Sequence, residues 1–442
     1  MDTIADEFDV MAEATARDSG LRRDIGTLAL TAAIVNITIG GGIFSLPAGM
    51  MRAAGPYALI AYLLCALAMA GVVLCFAEAG SRVPTSGGIY GYVEAAFGPF
   101  AGFVTGIILW LTCVLANGGI TAALADALAS MVPALATPVG RIIIIVMTLG
   151  GLVLINLAGV RSASRFVSAV TLVKIVPLAL FVGIGMFHIS PARLWAGEAP
   201  ATGGIGRAVL LSLFAFQGME TTLGASGEVR DPARTLPRAL FGAMAFVTIF
   251  YIAIQLVAQG LMGAALAGSR APLADALALV DPRLGLLMLI GMAISLGGWL
   301  GSDLLGAPRV LFAFGRDGFL PAAIGRVTRR GVPGVAIAVH AAIALALALS
   351  GTFEQLAALS ALGGCAIYIA GCAATWRLRR RNVALAGEAL RLPALGLWCA
   401  LGIGSMALVI ALAQWSEIGG LAAAITAAAL LYAATMRRRA MR

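Results

Sequence analysis

The chain has 442 residues, of which 61% are hydrophobic and only 12% are charged. A soluble domain carries roughly 25% charged residues, so a dissolved globular enzyme fits poorly, and the length accommodates about 10 to 14 helices of roughly 20 apolar residues each. The formal charge of +9 is scattered in short clusters between apolar runs, which points to membrane topology and away from a nucleic-acid partner.

Residues 1–24 are polar and acid-rich and lack the basic start and apolar core of a cleaved signal, so a cytoplasmic tail is expected. Twelve apolar runs follow, at about 25–51, 57–77, 100–130, 139–159, 166–188, 206–226, 239–262, 284–312, 333–350, 355–376, 394–413 and 418–435. Hydrocarbon offers no partner to backbone amides, so each run is predicted to be helical and the fold class is an all-α polytopic membrane protein of twelve spans.

Span one breaks its apolar pattern with Gly40, Gly41 and Gly42, preceded by Asn36 and Thr38. A glycine triplet weakens a helix and suits an unwound, closely approached backbone; tight packing through small residues is the alternative. In the segment 84–98, Pro84 and Gly87–Gly88 predict a turn and Tyr90 and Tyr92 an interfacial seat. Asn117 in span three either faces a substrate or bridges helices. Lys174, the only lysine, lies in span five, where its ammonium must reach carbonyls, a carboxylate or the interface. His188 near the end of that span reads as interfacial.

Span six repeats the interruption with Gln217, Gly218 and Glu220, and a carboxylate at that depth needs a partner or a proton. Phe214, just before, reads as a cover over a bound molecule or as core packing. Asp303 in span eight is either a proton carrier or a structural acceptor. His340 in span nine stands alone, and one histidine makes no metal site. Cys65, Cys75, Cys113, Cys365, Cys372 and Cys399 show no CxxC spacing, so they read as buried fillers, and neither metal nor cofactor is expected.

A broken helix exposes unpaired amides at the start of its second half and unpaired carbonyls at the end of its first half. Two such breaks can hold an anion and a cation a few ångströms apart, the charge layout of an amino acid zwitterion. Breaks in spans one and six imply two five-span repeats, 25–190 and 191–376, followed by two further helices in 377–442. With both termini inside, 23 arginines fall on the cytoplasmic side and 6 outside, the asymmetry that the positive-inside bias demands.

Four stretches then carry a resemblance: GGIFSLP after Gly40, PTSGGIYGYVEAAFG (84–98), FAFQGMETTLGASGEVRDPARTLPRAL (214–240) and GRDGFLP (315–321). In this order they resemble the amino acid–polyamine–organocation family of secondary transporters. The resemblance implies a ten-helix inverted repeat with broken spans one and six plus two extra helices, in the cell inner membrane, as a monomer or homodimer. It further implies that amides of Gly41, Gly42 and Ile43 meet the substrate carboxylate, that carbonyls around Thr38, Ile39, Phe214 and Ala215 take its ammonium, and that Phe214 covers it. Glu220 matches the family's acid after the second break, and Lys174 the lysine of several sodium-independent members. Many relatives have serine where this chain has Gly41, and the family pattern assigns no role to Asp303.

The expected activity is secondary transport of amino acids by alternating access, sodium-independent and either proton-coupled or exchanging, with Lys174, Glu220 and Asp303 as coupling or gating candidates. Amines or nucleobases are the alternative cargo. A channel is the rival of another class, but no repeated ion-filter loop or charged ring is present. His and acidic residues form no compact hydrolase or metal constellation, so no enzyme is expected.

Overall fold

A computed structural model describes residues 24–440 except 41, 85–87, 159–173, 199, 202, 225 and 386–387. The expected tail, Gly41, the turn at Gly87 and the arginines Arg161 and Arg165 therefore lie outside the described residues. Among those described, the molecule is helical, with one isolated parallel bridge between Ile25 and Val229.

The first apolar run is two helices, α1 (Thr27–Thr38) and α2 (Gly42–Ala54). There follow α3 (Ala58–Arg82), the short α4 (Ile89–Phe97), α5 (Pro99–Met131), α6 (Pro138–Leu157) and α7 (Lys174–His188). The sixth run is again divided, into α8 (Gly204–Phe216) and α9 (Met219–Leu223). Beyond it lie α10 (Pro232–Met262), α11 (Pro272–Ala278), α12 (Pro282–Gly306), α13 (Pro308–Arg316), α14 (Gly334–Ser350), α15 (Phe353–Arg380), α16 (Leu395–Ala411) and α17 (Trp415–Ala440).

The helix starts are written locally. Pro opens α5, α6, α10, α11, α12 and α13, where a missing N–H costs nothing and the fixed φ suits the first turn. Asp281 caps α12 by accepting from the Arg283 amide at 2.7 Å, and Thr352 with Gln355 forms a capping box on α15.

Seven helical stretches are long and apolar enough to cross a membrane, and α1, α7, α14 and α16 are shorter apolar helices. The most apolar window of α15 is 72% buried, whereas that of α17 is 11% buried. The first is therefore central in the bundle and the second peripheral. α15 packs on α3, α5 and α8, while α10 lies against α1 and α3.

At the arginine-rich end of α3 and α15, Glu78 is wholly buried and accepts from Arg82 at 2.7 Å, Arg379 at 3.2 Å and the Leu392 amide at 3.0 Å. Two arginines expected as solvated topology signals thus hold a buried carboxylate. Tyr92 is a second departure: instead of an interfacial seat it has no exposed surface, packed against Gly80 of α3.

Candidate functional site

The two interruptions face one another. At the first, α1 ends at Thr38, the Ile39 amide bonds back to Val35, and the Gly40 amide bonds to the Thr38 carbonyl at 2.6 Å, turning the chain out of the helix. At the second, Gln217 is extended and Gly218 takes φ +121°, a backbone region that favours glycine. A Cβ on Gly218 would lie 3.2 Å from the Ile37 carbonyl carbon and oxygen, and one on Gly42 would lie 2.9 Å from the Phe214 ring. Glycine at both places lets the broken helices touch.

Tyr251 of α10 joins the breaks directly. Its hydroxyl lies 2.7 Å from the Thr38 carbonyl and 3.1 Å from the Ala215 carbonyl. The Thr38 oxygen, already holding the Gly40 amide, has both lone pairs engaged. The Thr38 hydroxyl, by contrast, is buried with no hydrogen-bond partner among the described residues, and Thr38 lines the cavity beside it.

That cavity has a volume of about 300 Å³. Gly42, Phe214 and Ala215 form one wall, Cys113 of α5 and Asp303 of α12 another, and it continues to Arg309 at the start of α13. α2 begins at Gly42, so the amides of Gly42 and Ile43 have no carbonyl within their own helix and stand at its positive end.

Glu220 lies in the wall with both oxygens bonded: Oε1 accepts from the Gly218 amide and Oε2 from the Tyr368 hydroxyl, each at 2.9 Å. Gln217 reaches across to α15, donating to the Ser360 carbonyl at 3.2 Å, while Ser360 Oγ donates to the Thr112 carbonyl at 2.9 Å. The second break is thereby tied to α5 and α15.

Lys174 is only 4% exposed, and Nζ donates to the Asn36 carbonyl in the last turn of α1. It sits against the first break, with its side chain turned into the protein. Asn117 has no exposed surface and donates to Asp303 Oδ2 at 2.8 Å, so it bridges α5 and α12. His340, read from the sequence as isolated, is not: its Nε2 lies 3.0 Å from the same Asp303 oxygen, and its Nδ1 accepts from Trp110 at 3.2 Å.

Arg52 of α2 pairs with Glu354 at the start of α15 and also bonds to the Ala267 carbonyl. Phe214 meets Phe353 edge-on with ring centroids 5.7 Å apart. These contacts tie α2 and α8 to the start of α15. At the start of α10, Asp231 and Arg234 are 3.9 Å apart and largely exposed, a weak pair.

Sequence reasoning did not find Tyr251, Tyr368, Trp110 or the Arg52–Glu354 pair. A tyrosine within an apolar span was the available signal for the first two, because a buried phenol needs a partner.

Residues 25–435 match the model of a family described as amino acid permease. The chain is 29% identical over 379 residues to the serine/threonine exchanger SteT of Bacillus subtilis, covering 82% of this chain and 85% of that protein. It is 28% identical to the branched-chain amino acid permease BcaP of Lactococcus lactis, covering 79% and 80%. It is 29% identical to the methylthioribose transporter of Bacillus subtilis, covering 71% and 72%.

Proposed function

The chain belongs to the amino acid permease family, and from that premise we propose that it carries amino acids across the cell inner membrane by alternating access. The facing of the two helix breaks across a 300 Å³ cavity carries the reading. Amides of Gly41, Gly42 and Ile43 receive the substrate carboxylate. The ammonium goes to carbonyls of Ile39, Phe214 and Ala215 and to the Thr38 hydroxyl, since the Thr38 carbonyl is already saturated. Phe214 covers the occluded molecule, and rocking of one five-helix repeat against the other exposes it to either face.

Both termini are cytoplasmic and the chain crosses twelve times. The pair Arg52–Glu354 is then an outer closure, and the cavity's continuation to Arg309 is its inner approach. The ammonium of Lys174 braces the first break where a sodium ion would otherwise be needed, which makes transport sodium-independent. Glu220 communicates between the second break and α15 through Tyr368. The likeness to an exchanger favours counter-transport over unidirectional uptake.

Purified protein in sealed liposomes, offered an amino acid panel with and without sodium, a proton gradient and internal counter-substrate, tests this. Saturable uptake that ignores sodium and rises with counter-substrate is expected. Ion current without amino acid movement would replace the reading with a channel.

A further inference from the structure

Behind the cavity wall stands a chain of hydrogen bonds that the transport reading does not use. Trp110 of α5 donates Nε1–H to Nδ1 of His340 on α14 at 3.2 Å. An indole nitrogen can only donate, so Nδ1 must be the accepting nitrogen, and neutral imidazole then carries its proton on Nε2. That N–H points at Asp303 Oδ2, 3.0 Å away, where the Asn117 amide also donates at 2.8 Å. His340 has no exposed surface and Asn117 none either, whereas Asp303 lines the cavity.

Both donors fall on one oxygen, and among the described residues no donor meets Oδ1. A carboxylate accepts about four hydrogen bonds, so Asp303 retains acceptor capacity. The other charged or ionisable groups in this cavity or near the first break are differently placed. Glu220 has both oxygens bonded within the protein, Lys174 on α7 is turned to the Asn36 carbonyl, and Arg309 makes no ion pair with Asp303 within 4.0 Å. Cys113 offers only a weak thiol.

We propose that Asp303 selects substrates whose side chain carries a hydrogen-bond donor, with His340 and Trp110 as positioning residues that hold its carboxylate against the cavity. The inference rests on the amino acid transport reading, which places the zwitterion at the breaks in the same cavity. A hydroxyl, amide or ammonium on the side chain gives Asp303 a hydrogen bond in place of the one that solvent can give it. A methyl group in that place excludes solvent and returns nothing. The asymmetry favours a donor over its apolar isostere by about 1.5–3 kcal/mol, roughly 10- to 150-fold in affinity.

Isosteric pairs test it: threonine against valine, glutamine against methionine, lysine against norleucine. Binding to detergent-purified protein and uptake into liposomes are measured for each. The wild type should prefer the donor of at least one pair by tenfold or more; preference for threonine or glutamine marks a neutral donor, and for lysine a cation. Asp303→Asn, which turns an amide donor toward the cavity, should collapse that ratio to near one. His340→Leu should raise KM for the donor substrate with kcat little changed, and His340→Gln, which keeps an N–H facing Asp303, should restore the ratio. Equal handling of valine and threonine, of methionine and glutamine, and of norleucine and lysine by the wild type overturns the proposal while leaving amino acid transport intact. A ratio unmoved in both Asp303→Asn and His340→Leu, each with wild-type melting behaviour, also overturns it. Failure of every amino acid to bind or move overturns the transport reading together with it.

Discussion

Gly218 combines a left-handed φ with a close approach to the Ile37 carbonyl, so a methyl group there meets strain and a clash at once. Gly218→Ala should lower stability by about 1–3 kcal/mol, read as a drop in Tm of the purified protein. Gly150 in α6 has nothing within 4 Å of the corresponding position, and Gly150→Ala should instead raise Tm, by about 0.5–1 kcal/mol of added stability. At Gly42 the obstacle is the Phe214 ring itself, so Gly42→Val should abolish substrate binding in a thermal-shift or radioligand assay. Glu220→Gln presents an amide N–H where Oε2 accepted from Tyr368, and uptake measured across pH should fall or change its profile. A normal rate with an unaltered profile would free Glu220 from any coupling role.

The breaks themselves were legible as interruptions of hydropathy: three glycines in one run, a Gln-Gly-Met-Glu sequence in another. What pairs with them was not. Tyr251 contacts Thr38 across 213 positions, and His340 meets Trp110 across 230, separations at which one-dimensional periodicity carries no information. A lone histidine or aspartate in an apolar run announces only that a partner must exist. Most described span ends were read to within a few residues because Pro, Gly and charge mark them, although α10 starts at Pro232, well before the expected 239. Burial of Tyr92 and Arg82, by contrast, depends on which helix packs above them. The contact of α7 with α1 through Lys174 is one such pairing, and Lys174→Ala leaves the Asn36 carbonyl without its donor. A loss of about 1–3 kcal/mol in stability and a strong fall in uptake should follow, measured on protein with verified insertion. Arg52 and Glu354 are 50% and 33% exposed, so Arg52→Ala should alter Tm little. Its effect belongs to the balance of conformations: Cys113, which lines the cavity, should gain reactivity toward an impermeant maleimide added outside.

For the molecule as a whole, the proposed topology, an even number of crossings with the arginine-rich loops inside, puts both ends on the cytoplasmic face. Reporter domains fused at each end should both be active only in the cytoplasm; an external signal from either would break the proposed topology. The central position of α15 and the peripheral position of α17 divide the bundle into a buried interior and an exposed apolar rim. One small feature spans the moving parts. Ile25 exchanges backbone hydrogen bonds with Glu228 and Arg230, at 3.1 and 2.9 Å, just before α1 and just after α9. The two half-helices α1 and α9 are thus joined at their far ends, while the close approach of Gly218 to Ile37 brings them together beside the breaks. Under the alternating-access reading proposed above, such a join makes them one lever about residues 39–40 and 217–218, so that opening one half would drag the other.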